Sequence, residues 1–302
     1  MPRRALFLVN PNARQGSACS DELMEGLRAD GLELISDKRE GESVSQAIVR
    51  HRQDVDLVII GGGDGTLHDA IGSLIETQLP LGILPLGTAN DLARTLNLPL
   101  DLGQACAAIT GGHLKAIDVG EANGTYFFNV ASVGLSVDIT RELTAEAKKR
   151  YGVFAYLFTA FKRTFSVQAF HAEIRTATET HRVKTVQIAV GNGRFYGGGM
   201  AVAEDASIDD GQLDLYSVEV DHWWKMFAVT PAILRGKQEQ SMWIRTLRGA
   251  EFEVLTRRRR PINTDGEIHT YTPVKFRVLP QAIRVYVPAT PASATDRGAA
   301  DV

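Results

Sequence analysis

Leu57-Val58-Ile59-Ile60-Gly61-Gly62-Gly63-Asp64-Gly65-Thr66 runs four apolar residues straight into a loop of glycines. A short, uninterrupted apolar run suits a strand buried on both faces, as in a parallel sheet covered by helices. The consecutive glycines let the backbone turn and let N–H groups approach a phosphate with no Cβ in the way. A helix is expected from Leu67, and its amino terminus favours an anion. The spacing is neither a P-loop, which needs Lys-Ser/Thr after the glycines, nor the dinucleotide fingerprint. A bare carboxylate here would repel phosphate, so Asp64 is expected to organise the loop by hydrogen bonds or to face a cation. Without a ligand, the same stretch is simply a strand-to-helix turn.

Two more stretches repeat the pattern. Leu84-Pro85-Leu86-Gly87-Thr88-Ala89-Asn90-Asp91 follows the apolar run Leu81–Leu84 and precedes an apparent helix. Thr88 can donate a hydroxyl there, and Asn90 or Asp91 can cap the helix. Asn10-Pro11-Asn12-Ala13-Arg14 follows the run Ala5–Val9 and brings amides and one guanidinium to the same carboxyl edge. Between these runs, Leu23, Met24 and Leu27 share one helical face, with Ser20 placed to cap it. Val44, Ala47 and Ile48 share another, with Ser43 as cap. Strands alternating with helices predict an α/β domain over residues 1–119, with a ligand in the crevice at the strand ends.

Farther along, runs at 125–131, 167–175, 183–190, 213–220, 252–255, 274–279 and 283–287 carry β-branched and aromatic residues. They predict a β-rich second domain over 120–287, most simply a sandwich. Helical stretches at 136–165 and 222–234 interrupt it. The tail, 288–302, lacks periodicity and reads as disordered.

Two acidic segments lie in this half. Asn263-Thr264-Asp265-Gly266-Glu267 sets two carboxylates around a glycine. An extended backbone would point both to one side, whereas Asp-Gly is also a strong hairpin pair. Asp205-Ala206-Ser207-Ile208-Asp209-Asp210-Gly211-Gln212 is an acidic, glycine-bearing loop that can ligate a hard cation or serve as a solvated turn. It does not have EF-hand spacing.

Composition adds boundaries. Of 302 residues, 44% are hydrophobic and 23% charged, enough for two real cores. A formal net charge of −3 gives no global attraction to nucleic acid or to an anionic membrane. Cys19 and Cys106 read as reduced cytosolic thiols rather than a disulfide framework. No apolar run reaches the length of a membrane span, so a cytoplasmic location is expected. Local basic patches exist: Lys148-Lys149-Arg150 leads into an aromatic stretch to Phe165, which suits either a headgroup surface or a core-facing helix. Arg257-Arg258-Arg259-Arg260 precedes Pro261, and Trp223-Trp224 is either an interfacial pair or helix packing. No nucleic-acid module accompanies them.

Asn10-Pro11-Asn12, Gly62-Gly63-Asp64-Gly65-Thr66, Leu86-Gly87-Thr88-Ala89-Asn90-Asp91 and Asp265-Gly266-Glu267, in this order, resemble the diacylglycerol-kinase catalytic family, which includes bacterial lipid kinases and sphingosine kinases. The resemblance covers roughly Arg4 to Val287. It implies a phosphofructokinase-like, Rossmann-type nucleotide domain followed by a β-sandwich, with ATP between them. It further implies an ATP- and Mg²⁺-dependent kinase acting on a lipid hydroxyl during transient contact with a membrane surface. A homodimer stays open. The implied nucleotide contacts are Asn10, Pro11, Asn12, Ala13, Arg14, then Gly62, Gly63, Asp64, Gly65, Thr66, Leu67 and His68, then Thr88 and Asn90. Where many members carry a threonine before a Gly-Asp-Ala stretch, this chain has Leu34-Ile35-Ser36-Asp37, so Ser36 takes that place. The Asp-Gly-Glu segment is implied to hold the general base, Asp265 or Glu267. The acidic loop is implied to hold Mg²⁺ through Asp210 with the carbonyls of Ser207 and Gln212. The competing readings are a soluble-substrate kinase such as an NAD kinase, which shares Gly-Gly-Asp-Gly-Thr, and a nucleotide-binding regulator without catalysis.

Overall fold

Successive residues of strand β1 (Arg3–Val9) point into two different cores. Leu6 and Leu8 pack with Val44, Ile48, Leu67 and Ile71, whereas Ala5 and Phe7 pack with Leu23, Leu27 and Ile109. That is why the run is apolar throughout rather than alternating. The computed structural model describes residues 2–10, 13, 20–36, 39, 41–135, 137, 168–203, 205–222 and 225–289. Pro11, Asn12, Arg14, Asp37, Cys19, nearly all of the 136–165 stretch, Trp223-Trp224 and the tail past 289 lie outside the described residues.

After β1 come α1 (Ser20–Ala29), β2 (Leu32–Ile35), α2 (Val44–Arg50), β3 (Leu57–Gly62) and α3 (Asp64–Thr77). Then follow β4 (Leu81–Pro85), α4 (Asp91–Thr95) and α5 (Leu102–Gly111). Strands pair in parallel in the order β2-β1-β3-β4, so their carboxyl ends share one edge. Ser43 caps α2 as expected: its hydroxyl accepts from Gln46 N–H while the Gln46 side chain accepts from Ser43 N–H.

The β-rich half opens with β5 (His113–Ala122), β6 (Thr125–Phe127), β7 (Val130–Gly134), β8 (Phe170–Arg175), β9 (Thr180–Thr185) and β10 (Gln187–Gly191). Next are β11 (Phe195–Tyr196), β12 (Met200–Ala201), β13 (Leu213–Val218) and α6 (Lys225–Arg235). It closes with β14 (Ile244–Gly249), β15 (Glu251–Thr256), β16 (Pro261–Thr264), β17 (Glu267–Tyr271) and β18 (Val274–Val287). Among the described residues, one mixed sheet runs β2-β1-β3-β4-β18-β15-β8-β9, with β5 pairing β18 and β6. An antiparallel sheet runs β14-β13-β10-β7-β16-β17. Phe127, Phe252, Phe276, Ile188 and Ile262 fill the space between the two. The expected class, a Rossmann-type α/β part followed by a β-sandwich, is the one adopted.

Three runs break differently from their expected form. The 125–131 run is two strands because the amides at 128–130 turn aside to meet Asp265. The 183–190 run also divides: β9 pairs β8 in the mixed sheet while β10 pairs β7 and β13 in the other. Conversely, 274–279 and 283–287 are one strand, whose register on β5 shifts between Leu279 and Ile283. Past that shift, Val285 pairs in parallel with Leu81 of β4.

Candidate active site

The glycine loop connects β3 to α3 at the shared carboxyl edge. A Cβ on Gly87 would lie 2.5 Å from Gly63 Cα and 2.6 Å from Asn90 Oδ1, so the two turns meet backbone to backbone. Leu86 N–H donates to Gly62 C=O at 3.0 Å. Of the two expected caps, Asn90 and Asp91, Asn90 stands at the N-cap position, but its backbone is left-handed (φ 51°) and its side chain makes no capping hydrogen bond. Its Oδ1 accepts from Gly87 N–H at 2.9 Å and its Nδ2 donates to Gly87 C=O at 3.1 Å, bracing the loop instead. Asp64 accepts from Leu92 N–H at 3.2 Å through Oδ1. Of its two expected roles, this contact is the organising one. Asn10 completes the wall: its N–H donates to Gly61 C=O, and its Nδ2 donates to Thr66 Oγ1 at 3.1 Å.

Beside this wall lies a cavity of about 280 Å³ lined by Val9, Asn10, Ser43, Gly65, Thr66 and Asp69, among others. Thr88 and Gly65 are exposed, and Ala13 is tied back to Asn10 C=O. The Leu67 side chain points into the core, leaving only its backbone for a ligand. Ser36 is exposed past the end of β2 and does not line the cavity, whereas Ser43 does.

Asp265-Gly266 is the turn of hairpin β16–β17, with φ of 49° and 98°. The extended arrangement with both carboxylates on one side is therefore not the one present. The Asp265 carboxylate accepts from Phe128 N–H at 2.7 Å and from Asn129 and Val130 N–H at 3.0 Å each. Its side chain is only 2% exposed. The Glu267 side chain, by contrast, is exposed and hydrogen-bonds no described residue, while its backbone C=O accepts from Thr264 Oγ1 at 3.5 Å. The hairpin also meets the nucleotide wall: His68 Nδ1 on α3 lies 3.6 Å from Asp265 Oδ2, and the His68 ring stacks on His269.

Further acidic groups crowd this boundary. Asp91, at the start of α4, accepts from Gly198 N–H through both oxygens at 3.0 and 3.1 Å. Gly198 lies in a loop whose glycines 197–199 all have positive φ, a conformation other residues adopt poorly. Burial, reinforced by the Asp64 charge, pushes the Asp91 carboxyl up to about 7. Burial also raises Asp64, with Asp265 adding to the effect against the Leu92 hydrogen bond. Burial pulls the His68 imidazole down, but Asp265, aided by Glu267 and Asp69, outweighs it and leaves the ring above the ordinary histidine value. A site with this much unneutralised negative charge suits a ligand that arrives with cations.

The Ser207–Gln212 loop is tied separately to β5. Asp118 holds it from both sides: its Oδ2 accepts from Gly211 N–H at 2.7 Å, while its backbone N–H donates to Ile208 C=O. Asp210 Oδ1 accepts from Gln212 N–H, and burial, with Asp214 and Asp118 nearby, raises its carboxyl. This electronegative spot fits a hard cation. No three acidic, histidine or cysteine side chains cluster for a metal among the described residues, so such an ion would depend on carbonyls and water.

Sequence reading missed Ser43, Asp69, Asp91, Asp118, Gly198 and His269 as site residues. Two of them carried a signal, as helix caps: Ser43 before α2, and Asp91 as the alternative to Asn90 in the second turn.

Comparison with known proteins agrees with this layout. The family model for the diacylglycerol kinase catalytic domain matches residues 4–122, and the YegS C-terminal NAD kinase β-sandwich-like domain matches 129–287. A Pseudomonas savastanoi pv. phaseolicola protein named "Probable lipid kinase YegS-like" is 36% identical over 77% of this chain and 76% of its own. A diacylglycerol kinase of Staphylococcus saprophyticus subsp. saprophyticus is 27% identical over 95% and 96%. The crystal structure of a diacylglycerol kinase from Bacillus anthracis str. Sterne shares the fold, with a TM-score of 0.76 at 24% identity over 95% and 97% of the two chains. With both halves matched in order and the motif residues gathered at one cleft, the chain belongs to the diacylglycerol kinase and YegS-like lipid kinase family.

Proposed function

We propose that this chain transfers the γ-phosphoryl group of ATP to a hydroxyl of diacylglycerol or a related lipid, with Glu267 as general base. One observation carries the reading. Hairpin β16–β17 sets Asp265-Gly266-Glu267 against the same helix, α3, whose amino terminus holds the glycine loop. Phosphoryl transfer asks mainly for positioning and charge neutralisation, with a carboxylate to accept the hydroxyl proton. The lipid oxygen attacks the γ-phosphorus, the bond to the β,γ-bridging oxygen breaks, and ADP leaves. The hydroxyl proton passes to Glu267, whose carboxylate is open to solvent and uncommitted. Asp265 instead fixes the turn through three backbone amides.

The glycine loops receive the phosphates through backbone N–H groups, and the cavity beside Ser43 and Asp69 takes the nucleoside end. Mg²⁺, when bound, neutralises phosphate charge; Asp210 with the Ser207 and Gln212 carbonyls would hold a separate structural ion. No described helix is long and apolar enough to cross a membrane. We take the lipid to be met at a membrane surface by peripheral contact from the cytoplasm, with no nucleic acid involved and a homodimer compatible. The relatives' names, lipid kinase and diacylglycerol kinase, support the acceptor class.

The test is transfer of labelled phosphate from ATP to diacylglycerol, phosphatidylglycerol, sphingosine, ceramide and monoacylglycerol in detergent micelles. Label in at least one lipid, lost in Glu267→Gln, is expected. Incorporation into none, with ATP still bound, would leave a nucleotide-binding protein without lipid kinase activity.

A further inference from the structure

His68 and His269 come from opposite walls of the site, one on α3 behind the glycine loop, the other on β17 two residues past Glu267. Their rings are near-parallel, 10° apart, with centroids separated by 5.7 Å. Side chains alternate along a strand, so Glu267 and His269 share a face of β17. The stack therefore sets His68 beside both carboxylates of the acceptor turn. Its Nδ1 is buried without a hydrogen bond and points at Asp265 Oδ2, 3.6 Å away. The other charges facing the ring are Glu267 across the cleft and Asp69 on its own helix. Asp64, one turn earlier, is engaged with Leu92. Three carboxylates and one exposed imidazole thus surround a largely buried imidazole that bridges the two halves.

A histidine that only filled space would have no reason to aim a buried nitrogen at a carboxylate already satisfied by three amides. We propose that His68 is a positioning residue for phosphoryl transfer. Its imidazolium, seated on His269, clamps the Asp265-Gly266-Glu267 turn to the helix that carries the nucleotide loop. Glu267 then meets the acceptor hydroxyl while the γ-phosphoryl group is held in place. The proposal rests on the kinase reading above. The 3.6 Å gap is a contact that tightens to a hydrogen bond as the cleft closes on its substrates, as apo-state catalytic contacts commonly do. The clamp needs the charged ring. It is fully present below the ordinary histidine value of about 6.5 and is lost as pH rises through the raised folded-state titration of His68.

The test compares wild type, His68→Leu and His68→Asn in lipid phosphorylation from about pH 6 to about pH 10, which takes in the ordinary histidine value and the range above it. Asn keeps a donor near the Nδ1 position but cannot titrate. His68→Leu is expected to lower kcat about tenfold, the order associated with a hydrogen bond to a charged group, with KM for ATP moved about threefold or less. His68→Asn should recover only the minor part of that loss that a neutral hydrogen bond supplies, and lack the alkaline decline that wild type shows. A folded His68→Leu with wild-type kcat, or the same alkaline decline in His68→Asn, overturns the proposal. A second readout needs no activity: the His68 ring proton followed by NMR should titrate above the ordinary histidine value and move down in Glu267→Gln and Asp265→Asn. If wild type phosphorylates no lipid, the kinase reading falls. The NMR titration then decides the clamp separately, and an ordinary value that ignores both substitutions rejects it.

Discussion

Asp265→Asn and Glu267→Gln make the same chemical change two residues apart, and the structure assigns them opposite consequences. At Asp265 the two carboxylate oxygens accept three buried N–H groups, one on Oδ2 and two on Oδ1. An amide can keep its oxygen on the doubly bonded side, but its NH₂ then faces Phe128 N–H, donor against donor. One buried donor left unpaired costs about 1–3 kcal/mol, and the two surviving bonds lose their charge assistance, so about 2–4 kcal/mol in all is expected. For a cooperative part of this size, that is a fall in Tm of about 5–15 °C. Glu267 is exposed and holds nothing, so Glu267→Gln should change stability by less than about 0.5 kcal/mol. Turnover should order the other way. Removing a general base costs roughly 10²–10⁴-fold, and Glu267→Gln should show that loss with ATP affinity nearly unchanged. Thermal melting, calorimetry with ATP and labelled-phosphate transfer to lipid measure the three quantities on each variant. An Asp265→Asn that melts with wild type, or a Glu267→Gln that still phosphorylates lipid at wild-type rates, would refute the division of labour.

Gly87→Ala places its Cβ 2.5 Å from Gly63 Cα. It should push the loops apart, lowering Tm and weakening ATP binding about tenfold, in line with overpacking of 1–3 kcal/mol. A Cβ on Gly65 meets nothing within 4 Å, so Gly65→Ala should weaken ATP with Tm unchanged. Calorimetry and melting of the pair separate loop geometry from phosphate contact. Asp91 keeps its proton to about 7 in the folded state but only to about 4 unfolded. Between those values the native state binds the extra proton, so its stability should fall as pH rises, by about 1.4 kcal/mol per unit at most. Asp91→Asn should flatten that slope, and equal pH–Tm slopes for both proteins would disprove the assignment. Without nucleotide, Asp210→Ala should lose the rise in Tm that Mg²⁺ gives wild type; an equal rise would make the loop a plain turn.

The glycine loop, the both-faces-buried strands and the Ser43 cap were legible because each is decided within a few residues. Identity of the base was not. Asp265-Gly266 is equally a hairpin pair and half of a catalytic motif, and only the amides of Phe128, Asn129 and Val130, far earlier in the chain, show that Asp265 is committed. Asp91 misled for the same reason: its position suggested a cap, while its partner, Gly198, lies in the other half. The 125–131 run looked like one strand because Thr125, Tyr126, Phe127, Phe128 and Val130 are strand-favouring residues on both sides of Asn129. What interrupts it is a carboxylate that periodicity cannot see. Strands β14, β16 and β17, with sequences IRTLRG, PINT and EIHTY, carry too many polar residues to stand out.

The long strand β18 has a consequence for how the protein is made. Its first half lies in the sandwich beside β15, and its last residues supply Ile283, Val285 and Val287 to the core under β3 and β4. A nascent chain leaving the ribosome therefore cannot finish the half that emerges first. Until Val285 reaches Leu81, β4 presents an unpaired edge, the kind of surface on which chains associate wrongly. Synthesis runs from the nucleotide half outward, but closure of that half waits for β18, which follows every other strand of the sandwich. A ribosome halted short of Val287 would release neither half complete, and a chaperone holding the β4 edge would have to wait until the sandwich strands had all been made.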